Sequence, residues 1–448
     1  MTIDFLPGDA ETRLREFPDD IFHACVTSPP YYGLRKYSDN DPEIGHELTP
    51  GEYAARLTAA MREVRRTLRP DGSLWLVLGD SYARNGGTDK NVSASALAGN
   101  TRKTIDIRGD RKQKIPNSLK EKDLIGIPWL TAFALRADGW YLREAIVQRK
   151  ASCMPESVRD RSTIQHEYVF HLAKSPNYYH DSFAISEPAQ SDHESGNGFK
   201  REERESYKDK NGARGDDKQW AGVGDLRNSR SVWDINPEPF EGQMCLCCGT
   251  YHSGRDYRRL YFDVNDLQKR RFCWCGTNDQ WLSHFAVFPS RLVARCLRAS
   301  TSTDGCCTRC GAQTERIVAK TAPSDAWKAA SGADASGGYT GTSRDGAAGT
   351  GAQDASATKA RILAGMARKE TIGWKAGCAC DAPCTARPLV LDPFSGAGTT
   401  ALVSARLGID CINIDLNPNY IRLAQGRLAD PLAKCLDTDG SRLLHKGP

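Results

Sequence analysis

The chain of 448 residues reads as an α/β protein with a largely parallel sheet covered by helices on both faces. Three observations predict this. Ile21-Phe22-His23-Ala24-Cys25-Val26 is an apolar run of buried-strand length, stopped by Thr27-Ser28-Pro29-Pro30-Tyr31-Tyr32, whose prolines cannot donate to a sheet ladder. Pro388-Leu389-Val390-Leu391 is a second such run. It leads through Asp392-Pro393-Phe394-Ser395-Gly396-Ala397-Gly398-Thr399-Thr400 into a helix over Ala401–Leu407, and glycines at that turn let the backbone approach a ligand. Ile409–Ile414 is a third run. It ends at Asp415, about 20 residues beyond the glycines, where an acid can accept both ribose hydroxyls of a nucleotide-like cofactor.

The remaining elements follow in order. Ile3-Asp4-Phe5-Leu6 is a short apolar start before Gly8-Asp9. Thr49-Pro50-Gly51-Glu52 is a capping box with proline at the first helical position, and Tyr53, Leu57, Met61, Val64 and Leu68 then recur at helical spacing. Arg69-Pro70-Asp71-Gly72 reads as the turn that ends this helix, and Ser73–Leu78 as the next strand. A helix through Pro128–Leu135, a strand over Tyr141–Val147 and a strand over Glu167–Leu172 come next, and Asn417-Pro418 opens a final helix.

Composition narrows the class. A hydrophobic content of 39% and a charged content of 26% are those of an ordinary globular protein. The net charge of +5 permits nucleic-acid binding without requiring it, so local patches matter more. Residues 84–122 hold such a patch, with Arg102, Lys103, Arg108, Arg111, Lys112, Lys114, Lys120 and Lys122. No apolar stretch approaches a membrane span and the N-terminus is no signal peptide, so a cytoplasmic protein with no membrane partner is expected.

Sixteen cysteines in a reducing compartment point to metal rather than disulfides. Cys245 and Cys248 with Cys273 and Cys275 have the paired spacing of a structural zinc ribbon, with Cys247 as an alternate ligand. Cys307 and Cys310 with Cys378 and Cys380 form a second set, with Cys306 and Cys384 as alternates. Its long gap is rich in Ala, Gly, Ser and Thr from about 321 to 360, which a ribbon tolerates because loop closure costs little more with length. Two structural Zn2+ ions are expected.

The loop chemistry is specific. An extended, proline-held loop at a strand end leaves its carbonyls free for a ligand, and Tyr31 adds a flat face. Together these suit a planar base with an exocyclic amine. Thr27-Ser28-Pro29-Pro30-Tyr31 and Asp392–Thr400 together resemble the catalytic and cofactor motifs of the amino-group DNA methyltransferases that use S-adenosylmethionine. Their order resembles the circularly arranged subgroup called β. The resemblance implies a Rossmann-like methyltransferase fold with the catalytic motif N-terminal and the cofactor motif C-terminal. It assigns catalysis to Ser28, Pro29, Pro30 and Tyr31. It assigns cofactor binding to Asp9, Phe288, Asp392, Pro393, Phe394, Gly396, Gly398, Thr399, Thr400 and Asp415. Gly79-Asp80-Ser81-Tyr82 resembles a motif lining the target pocket, with Tyr31, Tyr32 and Asp80 as its expected walls. Gln148 stands where the family's Trp-x-Lys segment carries its tryptophan.

The resemblance implies double-stranded DNA as substrate, with a homodimer and a cognate restriction endonuclease as the protein partners it allows. Ser28 at the first motif position favours cytosine N4 over adenine N6. The expected organisation is a catalytic half over 1–185, a recognition insertion with the first ribbon over 186–280, a cofactor-closing segment over 281–300, the second ribbon over 301–387 and the cofactor half over 388–435. A protein or RNA methyltransferase and a non-catalytic zinc-ribbon DNA-binding protein are the rival readings. The G-x-G-T-T turn argues against a nicotinamide dehydrogenase.

Overall fold

The computed structural model describes residues 1–33, 43–83, 119–153, 155–188, 226–238, 242–252, 281–282, 287–320 and 369–430. Cys273, Cys275, most of the basic stretch and the Ala/Gly/Ser-rich gap lie outside the described residues. The strands are β1 (Ile3–Pro7), β2 (Phe22–Thr27), β3 (Leu68–Leu78), β4 (Tyr141–Arg149), β5 (His166–Ala173), β6 (Glu187–Pro188), β7 (Leu226–Arg227), β8 (Val232–Asp234), β9 (Gln243–Cys245), β10 (Tyr251–His252), β11 (Trp281–Leu282), β12 (Glu315–Lys320), β13 (Lys369–Lys375), β14 (Leu389–Asp392) and β15 (Asp410–Asp415). The helices are α1 (Ala10–Leu14), α2 (Pro50–Thr67), α3 (Ile127–Ala137), α4 (Ser290–Ser300), α5 (Thr399–Leu407) and α6 (Pro418–Ala429).

The chain divides into two compact units. The first comprises 1–181, 230–314 and 376–448. It holds a sheet in the order β1-β15-β14-β2-β3-β5-β4-β8. The β1–β15, β15–β14, β14–β2 and β2–β3 pairs are parallel, β5 runs antiparallel to β3 and β4, and β8 lies parallel to β4. Helices α1, α2 and α3 pack together, as do α4, α5 and α6. Every residue of β2 is buried, as a parallel strand covered on both faces must be. The second unit comprises 182–229 and 315–375. Its described strands pair β6 with β7 and β12 with β13, both antiparallel, and the Arg316 guanidinium lies 4.3 Å from the Trp374 ring centroid.

Connections place the functional end of the first unit. From β2 the chain passes through α2 to β3 on one side, and from β14 it passes through α5 to β15 on the other. Strand order therefore reverses between β14 and β2. Such a switch point opens a crevice at the carboxyl ends of the strands, where ligands of open α/β sheets bind. The Thr27–Tyr31 loop and the Asp392–Thr400 loop both leave from that crevice.

Two local features differ from expectation. Arg69-Pro70-Asp71-Gly72 lies inside β3 rather than in a turn. Tertiary partners override its turn chemistry: Lys174 N donates to the Gly72 carbonyl at 3.2 Å, and Tyr179 N to that of Asp71 at 2.9 Å. Helix α1 was not anticipated; five residues are too few for a periodic pattern, and Asp9 caps it through Thr12 N. The capping box of α2 is present in full. No helix among the described residues is long and apolar enough to cross a membrane.

Candidate active site and metal centre

The glycine loop is held from three sides. Ser395 N donates to the Ile414 carbonyl at 2.9 Å, and Gly396 N to Asp415 Oδ2 at 2.7 Å. Gly398 has φ +71°, and a Cβ there would stand 2.7 Å from Ala424 Cβ on α6. Only glycine allows both that backbone and that helix contact. Arg427, buried on α6, donates to the Ala397 carbonyl at 3.2 Å and to Thr399 Oγ1 at 3.0 Å. Sequence reading missed Arg427. Its signal was its place in the apolar stripe Tyr420, Leu423, Ala424, Arg427, where a cation needs a buried partner.

Asp415 ends β15 beside the glycine loop. Its carboxylate also accepts Asn417 N at 2.8 Å, and burial pushes its pKa up to about 6. The register Pro7↔Asp415 brings Gly8 and Asp9 to the same edge, with Gly8 N donating to the Asp415 carbonyl at 2.9 Å. Asp9 is exposed and caps α1. Phe288 is half-buried just before Pro289, the residue that precedes α4. Phe394 is partly buried against the core.

Asp392 joins the two loops. It is fully buried and accepts Thr27 Oγ1 at 2.7 Å, Thr400 Oγ1 at 2.6 Å and Phe394 N at 3.2 Å. Burial raises its pKa to about 6. It thus ties the last residue of β2 to the first turn of α5.

In the proline loop, Tyr53 Oη donates to the Pro30 carbonyl at 2.9 Å. The expectation that all these carbonyls stand free is corrected for Pro30: a tyrosine on the buried face of α2 reaches it. The Pro29 carbonyl accepts no hydrogen bond among the described residues. Ser28 Oγ stands 3.4 Å from Tyr31 Oη. The Tyr31 ring lies against Gly79 at the end of β3, where a Cβ would come within 2.7 Å of Tyr31 Cε2.

Two expected pocket walls have other work. Tyr32 is buried, packs edge-on against Tyr53 and donates to the Leu48 carbonyl at 3.2 Å. Asp80 accepts Ser81 N, Gly126 N and Ile127 N at 2.9–3.2 Å, and so caps α3, whose own preceding residue is a glycine without a side chain to do so. Burial raises the Asp80 pKa. Gln148 is fully buried, and its amide donates to the Ile235 carbonyl at 3.1 Å.

Cys307, Cys310, Cys378 and Cys380 converge, with sulfurs all within 4.8 Å of one another. Tetrahedral Zn–S bonds of about 2.3 Å place sulfurs about 3.8 Å apart, so the spread suits one ion. The alternates Cys306 and Cys384 stand outside this group. Gly311 N donates to the Cys307 carbonyl and Cys307 N to that of Ala312, both at 2.8 Å, with Gly311 at φ +71°. The same knuckle recurs at the other cysteine pair. Gly249 N donates to the Cys245 carbonyl at 2.8 Å and Cys245 N to that of Thr250 at 3.0 Å, with Gly249 at φ +73°.

The four-cysteine cluster sits at the amino ends of the strands, opposite the crevice. His23 Nε2 contacts the Gly311 carbonyl at 2.8 Å and its Nδ1 accepts Leu389 N at 2.9 Å. Arg69 donates to the Cys310 carbonyl at 2.6 Å. The cluster therefore braces the starts of β2, β3 and β14.

Comparison with known proteins finds relatives over most of the chain. A family model for the N6/N4 methyltransferases, described as DNA methylase, matches residues 22–308 and 384–426. The Type II methyltransferase M.SmaI of Serratia marcescens is 30% identical over 423 residues, covering 94% of this chain and 89% of the relative. The Type II methyltransferases M.XycI of Xanthomonas campestris pv. cyanopsidis and M.Cfr9I of Citrobacter freundii are each 35% identical over 298 residues, covering 66% of this chain and 71% of each relative.

Proposed function

The chain belongs to the N6/N4 DNA methylase family and is an S-adenosylmethionine-dependent DNA methyltransferase, and from that premise we propose that it methylates N4 of a cytosine flipped out of duplex DNA, in the crevice between β14 and β2. The Asp392 tie carries this reading. Through Thr27 and Thr400 it fixes the proline loop against the glycine loop, so an amine held by one faces a cofactor held by the other.

S-adenosylmethionine supplies an electrophilic methyl group on a sulfonium cation. The residues present fit it. Half-buried Asp415 accepts ribose hydroxyls through its carboxylate, and its charge complements the cation. Gly396 and Gly398 keep the loop free of side chains, and Pro393, Phe394, Thr399 and Thr400 shape its flanks. Asp9 stands at the neighbouring strand end for the adenine, and Phe288 closes the methionine end. Asp392, fully buried, serves by holding its neighbours in place.

The amine's lone pair is delocalised into the base ring, so the protein must draw it out. Ser28 Oγ and the Pro29 carbonyl accept hydrogen bonds from the amine and favour a tetrahedral nitrogen with its lone pair aimed at the methyl. Pro30, anchored by Tyr53, fixes the loop. Tyr31 holds the flipped base by stacking. Ser28 rather than an acid at that position is what favours cytosine over adenine.

Cys307, Cys310, Cys378 and Cys380 would hold one structural zinc, which would staple the amino ends of β2, β3 and β14. The knuckle at Cys245 and Cys248 supports a second zinc there, for which the spacing offers Cys273 and Cys275, outside the described residues, as the other ligands. A cognate restriction endonuclease is the protein partner this reading implies, since the relatives are Type II methyltransferases. The test is transfer of tritiated methyl from S-adenosylmethionine to unmethylated duplex DNA, with RNA and protein as controls. Label entering duplex DNA, and lost with Asp415→Ala, supports the reading; label confined to RNA or protein overturns it.

A further inference from the structure

An ion pair between Lys150 and Glu167 stands at the rim of the catalytic crevice. Glu167 pairs with Gln148 across β4–β5, and Tyr168 pairs with Leu78, which puts Gly79 opposite Glu167. The Cβ position of Gly79 lies 2.7 Å from Tyr31 Cε2 and 3.5 Å from Glu167 Cγ. The Tyr31 ring and the Glu167 stem therefore meet over the same piece of backbone. The two charged side chains are 22% and 21% exposed, drawn partly out of water yet still open. Among the described residues Lys150 Nζ has no other acceptor and Glu167 Oε2 has no donor. A partly desolvated pair is weak support for a fold, because the loss of hydration offsets much of the attraction.

Resting on the function proposed above, we propose that Lys150, positioned by Glu167, donates a hydrogen bond to the ring edge of the flipped base. The atom next to the exocyclic amine is an acceptor in both candidate bases: N3 of cytosine, N1 of adenine. An ammonium has three donors; Glu167 takes one, leaving others for the base. Cytosine O2 is a second acceptor further along the same edge, whereas adenine presents C–H there. Guanine and thymine present N–H beside the corresponding group and are repelled by the cation. Tyr31 grips any base by its face; Lys150 then checks its edge.

The test uses the full-length protein and a duplex carrying the site found by sequencing DNA from expressing cells. A second duplex carries 3-deazacytosine at the target, or 1-deazaadenine if adenine is the base methylated. Wild-type protein is expected to lose roughly 10- to 150-fold in kcat/KM on the deaza duplex, the range for one hydrogen bond to a charged group. Lys150→Met is expected to lose a similar factor on the normal duplex, to lose no more on the deaza duplex, and to keep its affinity for S-adenosylmethionine. Lys150→Arg keeps a donor and should recover part of the discrimination; it and Glu167→Gln replace the Met variant should that fail to fold. Equal discrimination by wild type and variants overturns the role of Lys150. Absence of methyl transfer by wild-type protein to any exocyclic amine overturns the underlying function instead, so the two failures are distinct.

Discussion

Gly79→Ala is a one-carbon probe of the target pocket. The added Cβ would sit 2.7 Å from Tyr31 Cε2 and 3.2 Å from Cδ2, both inside the 3.4 Å at which ordinary contact begins. Gly79 has no positive φ, so alanine suits the backbone, and the ring must retreat by about 0.7 Å. A base stacked on an aromatic ring gains about 1–3 kcal/mol, so displacing the ring should cost roughly 5- to 150-fold in kcat/KM for DNA. The cofactor side of the crevice is untouched. Steady-state kinetics on duplex DNA, with cofactor affinity from calorimetry, reads both quantities. Tyr31→Ala should lower turnover by a similar factor, and Gly79→Ala should add little in that background because both act on one contact. A full further loss in the Tyr31→Ala background, or weakened cofactor affinity in Gly79→Ala, would refute the placement of Tyr31 as the stacking face.

The remaining predictions concern the crevice acid, the buried arginine and the metal. Asp415 must be ionised to bind a cation, so with its pKa near 6 cofactor affinity should fall about tenfold per pH unit below that value and level off above it. Asp415→Asn should bind weakly and show no such slope in calorimetry across pH. The fold responds with the opposite sign: Asp392 and Asp415 hold protons longer in the folded state than in the unfolded one, so their contribution to stability grows as pH falls from about 6 to 4, as thermal melts should show. Arg427→Met should raise the cofactor dissociation constant more than it alters the KM for DNA, since it frees Ala397 and Thr399 on the cofactor loop. Metal analysis should find about two zinc ions per chain. Cys307→Ser should remove one and lower the melting temperature, because the cluster braces the starts of β2 and β3.

What could be read beforehand was local or periodic. Helix α2 announced itself through its capping box and buried stripe, and β2 and β14 through unbroken apolar runs that only a two-faced sheet accommodates. The two loop motifs carried the chemistry because each follows such a strand. What could not be read was how polar groups distant in sequence use one another. Thr27 and Asp392 meet across 365 positions, and nothing local to either says so. Asp80 serves an α3 that begins 47 residues later, and Tyr53 takes the Pro30 carbonyl from 23 residues away. Pro70-Asp71-Gly72 carries turn chemistry, yet its carbonyls meet donors at Lys174 and Tyr179 and the segment stays extended. The choice of Cys307 over Cys306 follows from the knuckle, whose amide-to-carbonyl bonds spacing alone does not assign.

The product nucleoside reports directly on methyl transfer to an exocyclic amine. Duplex DNA from a methylation-free host is incubated with the protein and S-adenosylmethionine carrying a deuterated methyl group. The DNA is then hydrolysed to nucleosides and analysed by mass spectrometry against authentic standards. Labelled N4-methylcytosine is the expected product, reduced by Ser28→Ala and Tyr31→Ala. Labelled N6-methyladenine would move the target base while keeping the chemistry. Labelled C5-methylcytosine, which requires attack at ring carbon rather than an amine, would overturn amine methylation by this chain.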